Sequence, residues 1–346
     1  MRRPGMAELA AAAGVSVATV DRALNGRQRL KDETLAHVIA VARAIGHPAA
    51  LRLGGDVARV KRRFGVVLHK QGQEFYKAFA QELRRAVAAE RLVDAELVLE
   101  FSASQSPSEM AGLLRSMAGR CDVLAATAVH HAEVTAAVAE LSGQGLAVFA
   151  LLSDFAPGVR AGYLGLDNLK VGRTAGWLLD KVARGPGSLA IFVGGTRWHG
   201  HELRDQGFRA YLRDHAPGLV VLETLVNLET RALTYEATLG LIARHPDLRG
   251  IYVAGGGMEG AIAAVRAHKA EGRVALVVSA LTPESRRGLV EGQVTMVVDT
   301  PLEKLCRDLT AVMARVAVQG PSAAVQGSGA AVQHFLPPDL HVGESI

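Results

Sequence analysis

From Phe64 onward the sequence alternates short apolar runs with amphipathic helical stretches. That alternation restricts the chain to parallel sheets covered by helices. The apolar runs fall at 64–69, 96–101, 123–127, 147–151, 162–166, 189–193, 220–226, 250–254, 275–279 and 294–298. Segments such as Glu74–Glu90 and Asn168–Arg184 separate most of them. Ten strands crowd a single open sheet, so two doubly wound lobes are expected. No run approaches the length of a membrane span; the stretch Leu146–Leu152 has the length of a buried strand. Residues 319–331 are rich in Gly, Ser and Ala and read as a connector.

The first sixty residues follow a different rhythm. Met6, Leu9 and Ala13 recur at helical spacing until Gly14-Val15-Ser16 breaks the run. Ser16 stands where a helix N-cap belongs, and Val17 to Leu24 form a second helix with Val20 and Leu24 inward. Two short helices around a Gly-containing turn read as a helix-turn-helix, whose second helix enters the major groove of DNA. Asp32 is expected to cap a third helix with Leu35, Val38, Ile39, Ala42 and Ile45 inward, stopped by Gly46-His47-Pro48. An ordinary pair of surface helices would show the same pattern. A signal peptide is not expected, because Arg2-Arg3 is followed by a run that carries Glu8 and then by Asp21, Arg22 and Arg27.

Charge separates these readings. Residues 1–63 hold twelve Lys and Arg against five acids, a net of +7, which leaves the remaining chain 27 bases and 29 acids. A basic head on a near-neutral body is what phosphate neutralisation requires. The two cysteines, Cys121 and Cys306, are far apart and fit buried thiols in a reducing cytoplasm.

Leu9-Ala-Ala-Ala-Ala-Gly-Val-Ser16, Thr19-Val-Asp-Arg22 and Leu24-Asn-Gly26 resemble the headpiece of the lactose-repressor (LacI) family. The body resembles that family's ligand-binding portion, which shares the fold of periplasmic sugar-binding proteins. The supporting pieces are Phe64–Leu68, Gly165-Leu-Asp-Asn168 with Gly172, Arg204-Asp-Gln-Gly-Phe208, His245–Tyr252 and Leu289–Gln293. The resemblance implies an all-α helix-turn-helix headpiece at 1–47, a hinge at 48–63 and a two-lobed α/β effector domain at 64–346. Its two parallel sheets would be joined by crossings near 161, 299 and 327, giving lobe 1 at about 64–161 and 300–326 and lobe 2 at about 162–298 and 328–346. It further implies a cytoplasmic homodimer, most readily a repressor, bound to a pseudo-palindromic operator and controlled by a small carbohydrate-like effector.

On the headpiece the resemblance places Ser16, Val17, Ala18, Thr19, Arg22, Asn25, Arg27 and Lys31 at the DNA. Val17 and Ala18, at the base-reading positions, can touch thymine methyls but make no bidentate bonds, which leaves Arg22 to read a guanine. Asp21 stands where the family commonly has Ser. The usual hinge motif is absent, and Leu51 or Leu53 is the candidate minor-groove wedge.

Ligands of open α/β sheets sit at the carboxyl ends of strands. Family positions that contact sugars map onto Gln73, Phe75, Tyr76, Asp154, Arg204 and Asp299. Phe75 and Tyr76 also fit the buried face of a helix, and Asp167 and Asn168 a helix cap. Other family features are missing: Ala254-Gly255 replaces an Asn-Asp pair, and Phe155 replaces an Arg. The candidate loops gather Lys70, His130, His131, Arg197, His199, His201 and Arg204, an anion-friendly set that points to a sugar acid or sugar phosphate.

Two other functions have weaker support. Gly255-Gly-Gly-Met-Glu-Gly260 matches a dinucleotide-binding pattern, but no acid ends the next strand at 275–280. His199-Gly-His201 lacks a third metal ligand at credible spacing. No nucleophile–base order or phosphate loop appears, so neither an enzyme nor a cofactor is expected. A periplasmic solute-binding protein of the same body fold is the alternative, and the basic headpiece argues against it.

Overall fold

A computed structural model describes residues 4–25, 30–47, 59–321, 325–326 and 330–346. The N-terminal part packs α1 (Met6–Ala13), α2 (Val17–Asn25) and α3 (Asp32–Ala44) around a small core of Leu9, Ala13, Val20, Val38, Val41 and Ala42. Glu8 reaches back to the Gly5 backbone N–H (2.8 Å), and Gly14 ends α1 in the left-handed region at φ 64°. Ser16 caps α2 as its position predicts, its Oγ accepting from the Thr19 N–H at 3.1 Å. The third helix starts one residue off expectation: Lys31, not Asp32, occupies its cap position.

The body opens with β1 (Lys61–His69), α4 (Glu74–Ala89), β2 (Asp94–Ser102), α5 (Pro107–Arg115), β3 (Val123–Ala126), α6 (Ala132–Gly143), β4 (Val148–Leu151) and β5 (Gly162–Leu166). Next come α7 (Asn168–Val182), β6 (Gly187–Val193), α8 (His199–His215), β7 (Leu219–Val221), β8 (Leu225–Val226), α9 (Arg231–Arg244) and β9 (Leu248–Val253). The chain continues through α10 (Met258–Ala267), β10 (Ala275–Val278), α11 (Pro283–Val290), β11 (Met296–Asp299) and α12 (Leu302–Gln319). It finishes with β12 (Val325–Gln326), β13 (Ala330–Leu336) and β14 (Asp339–His341).

Two sheets result, ordered β12-β13-β5-β4-β3-β1-β2 and β14-β11-β10-β9-β6-β7, with β8 continuing the β7 path along β6. Among the described residues, only the β12–β13 and β11–β14 pairs are antiparallel. Strands β3 and β4 are buried along their whole length, as parallel strands covered on both faces must be. In each sheet the strand order reverses beside the first strand, between β1 and β3 and again between β6 and β9. Such switch points open a crevice at the carboxyl ends of the strands. Helices α4 and α12 cover the first sheet through Phe79, Leu83, Leu305, Leu309 and Met313.

The passages between lobes differ from expectation in two places. β5 pairs with β4 and β13 in the first sheet, so the chain leaves that lobe at Asp167 rather than near 161. β13 returns to the first sheet and β14 joins the second, so the last passage is at Pro337-Pro338 rather than 327. The reason is pairing: β13 follows the Gly/Ser/Ala-rich stretch and finds the open edge of β5, which composition does not reveal. The middle passage runs through Thr300-Pro301, between β11 and α12.

Candidate functional site

The carboxyl ends of both sheets face one cavity of about 290 Å³. That volume lies just below the range for drug-sized ligand sites, about 300–1,000 Å³. From the first lobe it receives Thr127 after β3, Leu152 and Ser153 after β4, and the first turn of α4 with Gln73, Phe75 and Tyr76. From the second it receives Trp198 at the start of α8, Glu229 after β8, Gly255–Gly257 after β9 and Ser279 after β10. Phe75, Tyr76 and Trp198 supply aromatic wall, and Tyr76 meets Phe75 edge-on with ring centroids 5.2 Å apart.

Arg204 is the buried cation of the floor, one turn into α8 and 9% exposed. Its Nε donates to Asn168 Oδ1 and its Nη1 to the Ala254 carbonyl, each at 2.7 Å. Asn168 Nδ2 donates in turn to the Leu152 carbonyl (3.0 Å), so a residue of the first lobe helps fix the arginine. The close fit of α7 against α8 makes this possible. A Cβ at Gly172 would lie 2.0 Å from the Arg204 carbonyl oxygen, and one at Gly207 2.1 Å from that of Leu169.

Glu229 is the buried anion. Its Oε1 accepts from the Gly256 N–H at 3.3 Å, while Oε2 has no partner among the described residues. Two imidazoles flank it, His69 Nε2 at 3.8 Å from Oε2 and His201 Nε2 at 3.8 Å from Oε1. Burial raises the Glu229 carboxyl above its ordinary range, against the pull of Lys70, the Gly256 N–H and Arg204. Burial likewise lowers His69 to about 4 and His201 to about 3, with Lys70 and Arg204 respectively adding to the effect. Both rings are therefore neutral at pH 7. His201 Nδ1 accepts from the Gly194 N–H (3.1 Å), which puts its proton on Nε2. Burial and the Glu229 charge hold the Tyr76 phenol far above its usual range, so it stays an O–H.

The glycine run at 255–257 serves this cluster. A Cβ at Gly255 would lie 2.6 Å from the His201 ring, and one at Gly256 2.9 Å from Glu229 Cβ. Close approach of these side chains, rather than a phosphate cradle, accounts for the pattern. His69, Thr127, Trp198 and Glu229 all carry buried polar atoms without a partner among the described residues. Thr127, Trp198 and Glu229 line the cavity, where water or a ligand can satisfy such groups.

The structure gathers some of the sequence candidates and disperses others. Gln73, Phe75, Tyr76 and Arg204 line the cavity. Lys70 does not; its Nζ donates across the cleft to the Leu228 carbonyl at 2.6 Å. Asp154 is held by the Arg160 guanidinium (Nη2–Oδ2 2.6 Å), and Asp299 accepts from the Leu281 N–H at 3.1 Å. Burial raises the Asp299 carboxyl. His130 and Arg197 are exposed on the rim, where His130 N–H donates to the Arg197 carbonyl (2.8 Å). His131 caps α6, and His199 pairs with Glu202 at 3.3 Å. The anion-friendly inventory thus contributes only His201 and Arg204 to the lining. Trp198 and Glu229 were not singled out by the sequence; each lies just past an apolar run, and strand-end position was the available signal. Among the described residues, no three His, Cys, Asp or Glu side chains converge to hold a metal ion.

On the headpiece, Val17, Ala18 and Arg22 are exposed along α2, with Val17 at 47%. Ser16 and Thr19 bond to each other through their hydroxyls at 2.8 Å. Asn25 ends α2, and Lys31 is exposed before α3. Arg27, Leu51 and Leu53 lie outside the described residues.

Comparison with known proteins matches residues 64–321 to the periplasmic binding protein domain family. Residues 5–48 match the bacterial regulatory proteins, lacI family. Among solved structures, an ABC transporter periplasmic solute binding protein from Actinobacillus succinogenes 130z with bound D-allose superposes with TM-score 0.71 at 17% identity, covering 82% of this chain and 98% of that one. A glucose-galactose binding protein from Geobacillus stearothermophilus gives 0.70 at 19% identity, covering 82% and 99%. A solute binding protein from Burkholderia graminis C4D1M in complex with D-arabinose gives 0.73 at 18%, covering 82% and 96%. At these identities the likeness is one of fold. No curated protein matches the chain.

Proposed function

Given that this chain belongs to the periplasmic binding protein domain family through residues 64–321 and carries a lacI-family headpiece at residues 5–48, we propose that it is a sugar-responsive transcriptional repressor. It binds a pseudo-palindromic operator as a homodimer, with α2 in the major groove. Arg22 reads a guanine and Val17 and Ala18 pack on thymine methyls, while Ser16, Thr19, Asn25, Arg27 and Lys31 hold the backbone. Leu51 or Leu53 is the candidate wedge of the hinge. The effector occupies the inter-lobe cavity and changes DNA affinity by favouring one lobe arrangement over the other. The work is binding, not catalysis.

The observation that carries this reading is an aromatic-walled cavity with a few converging polar groups at the switch points of both sheets, in a chain with a separately cored basic headpiece. The cavity also bears on effector chemistry. Its lining includes one buried cation, Arg204, and one buried anion, Glu229, together with Arg231, Glu74 and Glu259. Such a balance favours a neutral polyhydroxylated sugar over the sugar acid or phosphate that the sequence points to. Arg204 and Trp198 offer donors, Glu229 and Gln73 acceptors, and Phe75 and Tyr76 a face for stacking. Solved neighbours of the same fold hold D-allose and D-arabinose.

Calorimetry of the full chain against D-allose, D-arabinose and other aldoses, with gluconate and glucose 6-phosphate alongside, tests the assignment. A neutral sugar is expected to bind, and Arg204→Ala to abolish that binding. Binding confined to the anionic compounds would overturn the neutral-sugar reading.

A further inference from the structure

The loop that places Glu229 in the cavity is held from the opposite lobe. Asn227 anchors its base within the second lobe: Oδ1 accepts from the Glu229 N–H (2.9 Å) and Nδ2 donates to the Gly256 carbonyl (2.8 Å). The next two residues, Leu228 and Glu229, both take left-handed backbone angles, φ 48° and 53°. Side chains other than glycine adopt such angles at a cost and keep them only where the surroundings enforce them. To the anchoring by Asn227 the first lobe adds two side-chain donors. Lys70 Nζ donates to the Leu228 carbonyl at 2.6 Å, and Gln73 Nε2 to the Glu229 carbonyl at 2.9 Å. The two donors are set side by side by a turn in which the Gln73 N–H donates to the Lys70 carbonyl (3.0 Å). Lys70 is itself left-handed, at φ 37°.

We propose that Lys70 and Gln73 form a latch that couples closure of the two lobes to the placing of Glu229 in the cavity, so that the acceptor for the effector exists only in the closed arrangement. Both are positioning residues: they act on a ligand through the 227–230 loop. When the lobes part, the Leu228 and Glu229 carbonyls lose their donors and the strained pair relaxes, withdrawing the carboxylate. The Lys70 ammonium also opposes the upward push of burial on Glu229, so closing the latch favours the ionised acceptor. Strand β1 runs without a break from Lys61, beside the headpiece linker, to His69, the residue before Lys70. The latch therefore sits at the end of β1 that is farther in sequence from the DNA-binding part. This inference rests on reading the cleft as the effector site.

Amide hydrogen exchange of the full chain without any sugar tests the latch directly. In Lys70→Met the amides of Glu229 and Thr230 are expected to exchange about five- to tenfold faster than in the wild type, the change that losing one hydrogen bond of ordinary strength brings. Lys70→Arg is expected to retain most of the protection, and Gln73→Leu to act in the same direction as Lys70→Met. Unchanged exchange at Glu229 and Thr230 in both Lys70→Met and Gln73→Leu, with each variant folded by thermal melting, would overturn the latch. Calorimetry with D-allose and D-arabinose keeps the two readings apart. Sugar binding with unaltered loop exchange removes the latch alone. Loss of loop protection in chains that bind no sugar keeps the latch and removes the effector reading.

Discussion

His69 ends β1 with both ring nitrogens buried and without a hydrogen-bond partner among the described residues, and Glu229 faces it with an oxygen in the same state. Such pairings cost stability, and the cost depends on pH. The His69 pKa falls from 6.5 in an exposed chain to about 4 in the folded one, mainly through burial. Below pH 6.5 the unfolded chain therefore takes up a proton that the folded chain refuses until about pH 4. Stability is complete above pH 6.5 and declines through that window, by about 3 kcal/mol from His69 alone. His201, lowered to about 3, extends the decline. Glu229 has the opposite sign: its raised pKa means that ionisation at neutral pH weakens the folded state. Urea unfolding of His69→Gln at pH 7 and pH 5 checks the first effect. The variant is expected to lose much less stability between the two pH values than the wild type, and an equal loss would show that His69 is not the group responsible.

Helices α7 and α8 meet so closely that glycine is required on both. A Cβ at Gly207 would lie 2.1 Å from the Leu169 carbonyl oxygen, a backbone atom that cannot turn aside. Gly207→Ala is expected to destabilise the body by about 1–3 kcal/mol. It should also weaken sugar binding, because Asn168 and Arg204 ride on these two helices. Thermal melting and calorimetry measure both, and a variant of wild-type stability would contradict the packing. At this scale much was legible in sequence. The headpiece helices announce themselves through local spacing and the Ser16 cap, and β1 to β6 through apolar runs at strand length. What pairing decides was not legible. The segment 220–226 reads as one strand, yet β7 and β8 are separate pieces, the Thr224 hydroxyl between them bonding to Asp205 at 2.7 Å. Strands β12 to β14 were unread because their signal is a free sheet edge. The same limit applies to the site. Strand-end spacing located Lys70 and Asp154 near the cleft, but only the folded chain shows that Leu228 and Arg160 engage them.

The whole molecule joins a basic three-helix headpiece to two lobes that meet over an aromatic-walled cavity, and its proposed action depends on communication between the two. No helix among the described residues is long and apolar enough to cross a membrane. A coupling of ordinary strength changes affinity about 5- to 150-fold. The most direct measurement is fluorescence anisotropy of the full chain on a palindromic DNA selected from a random library, with and without the sugar that binds in calorimetry. Arg22→Ala is expected to weaken the selected DNA by roughly 1–3 kcal/mol and random DNA much less. Arg204→Ala is expected to keep DNA affinity and lose the response to sugar. In the wild type, sugar is expected to shift DNA affinity at least about fivefold. Sugar binding that depends on Arg204 but leaves DNA affinity unchanged would contradict it.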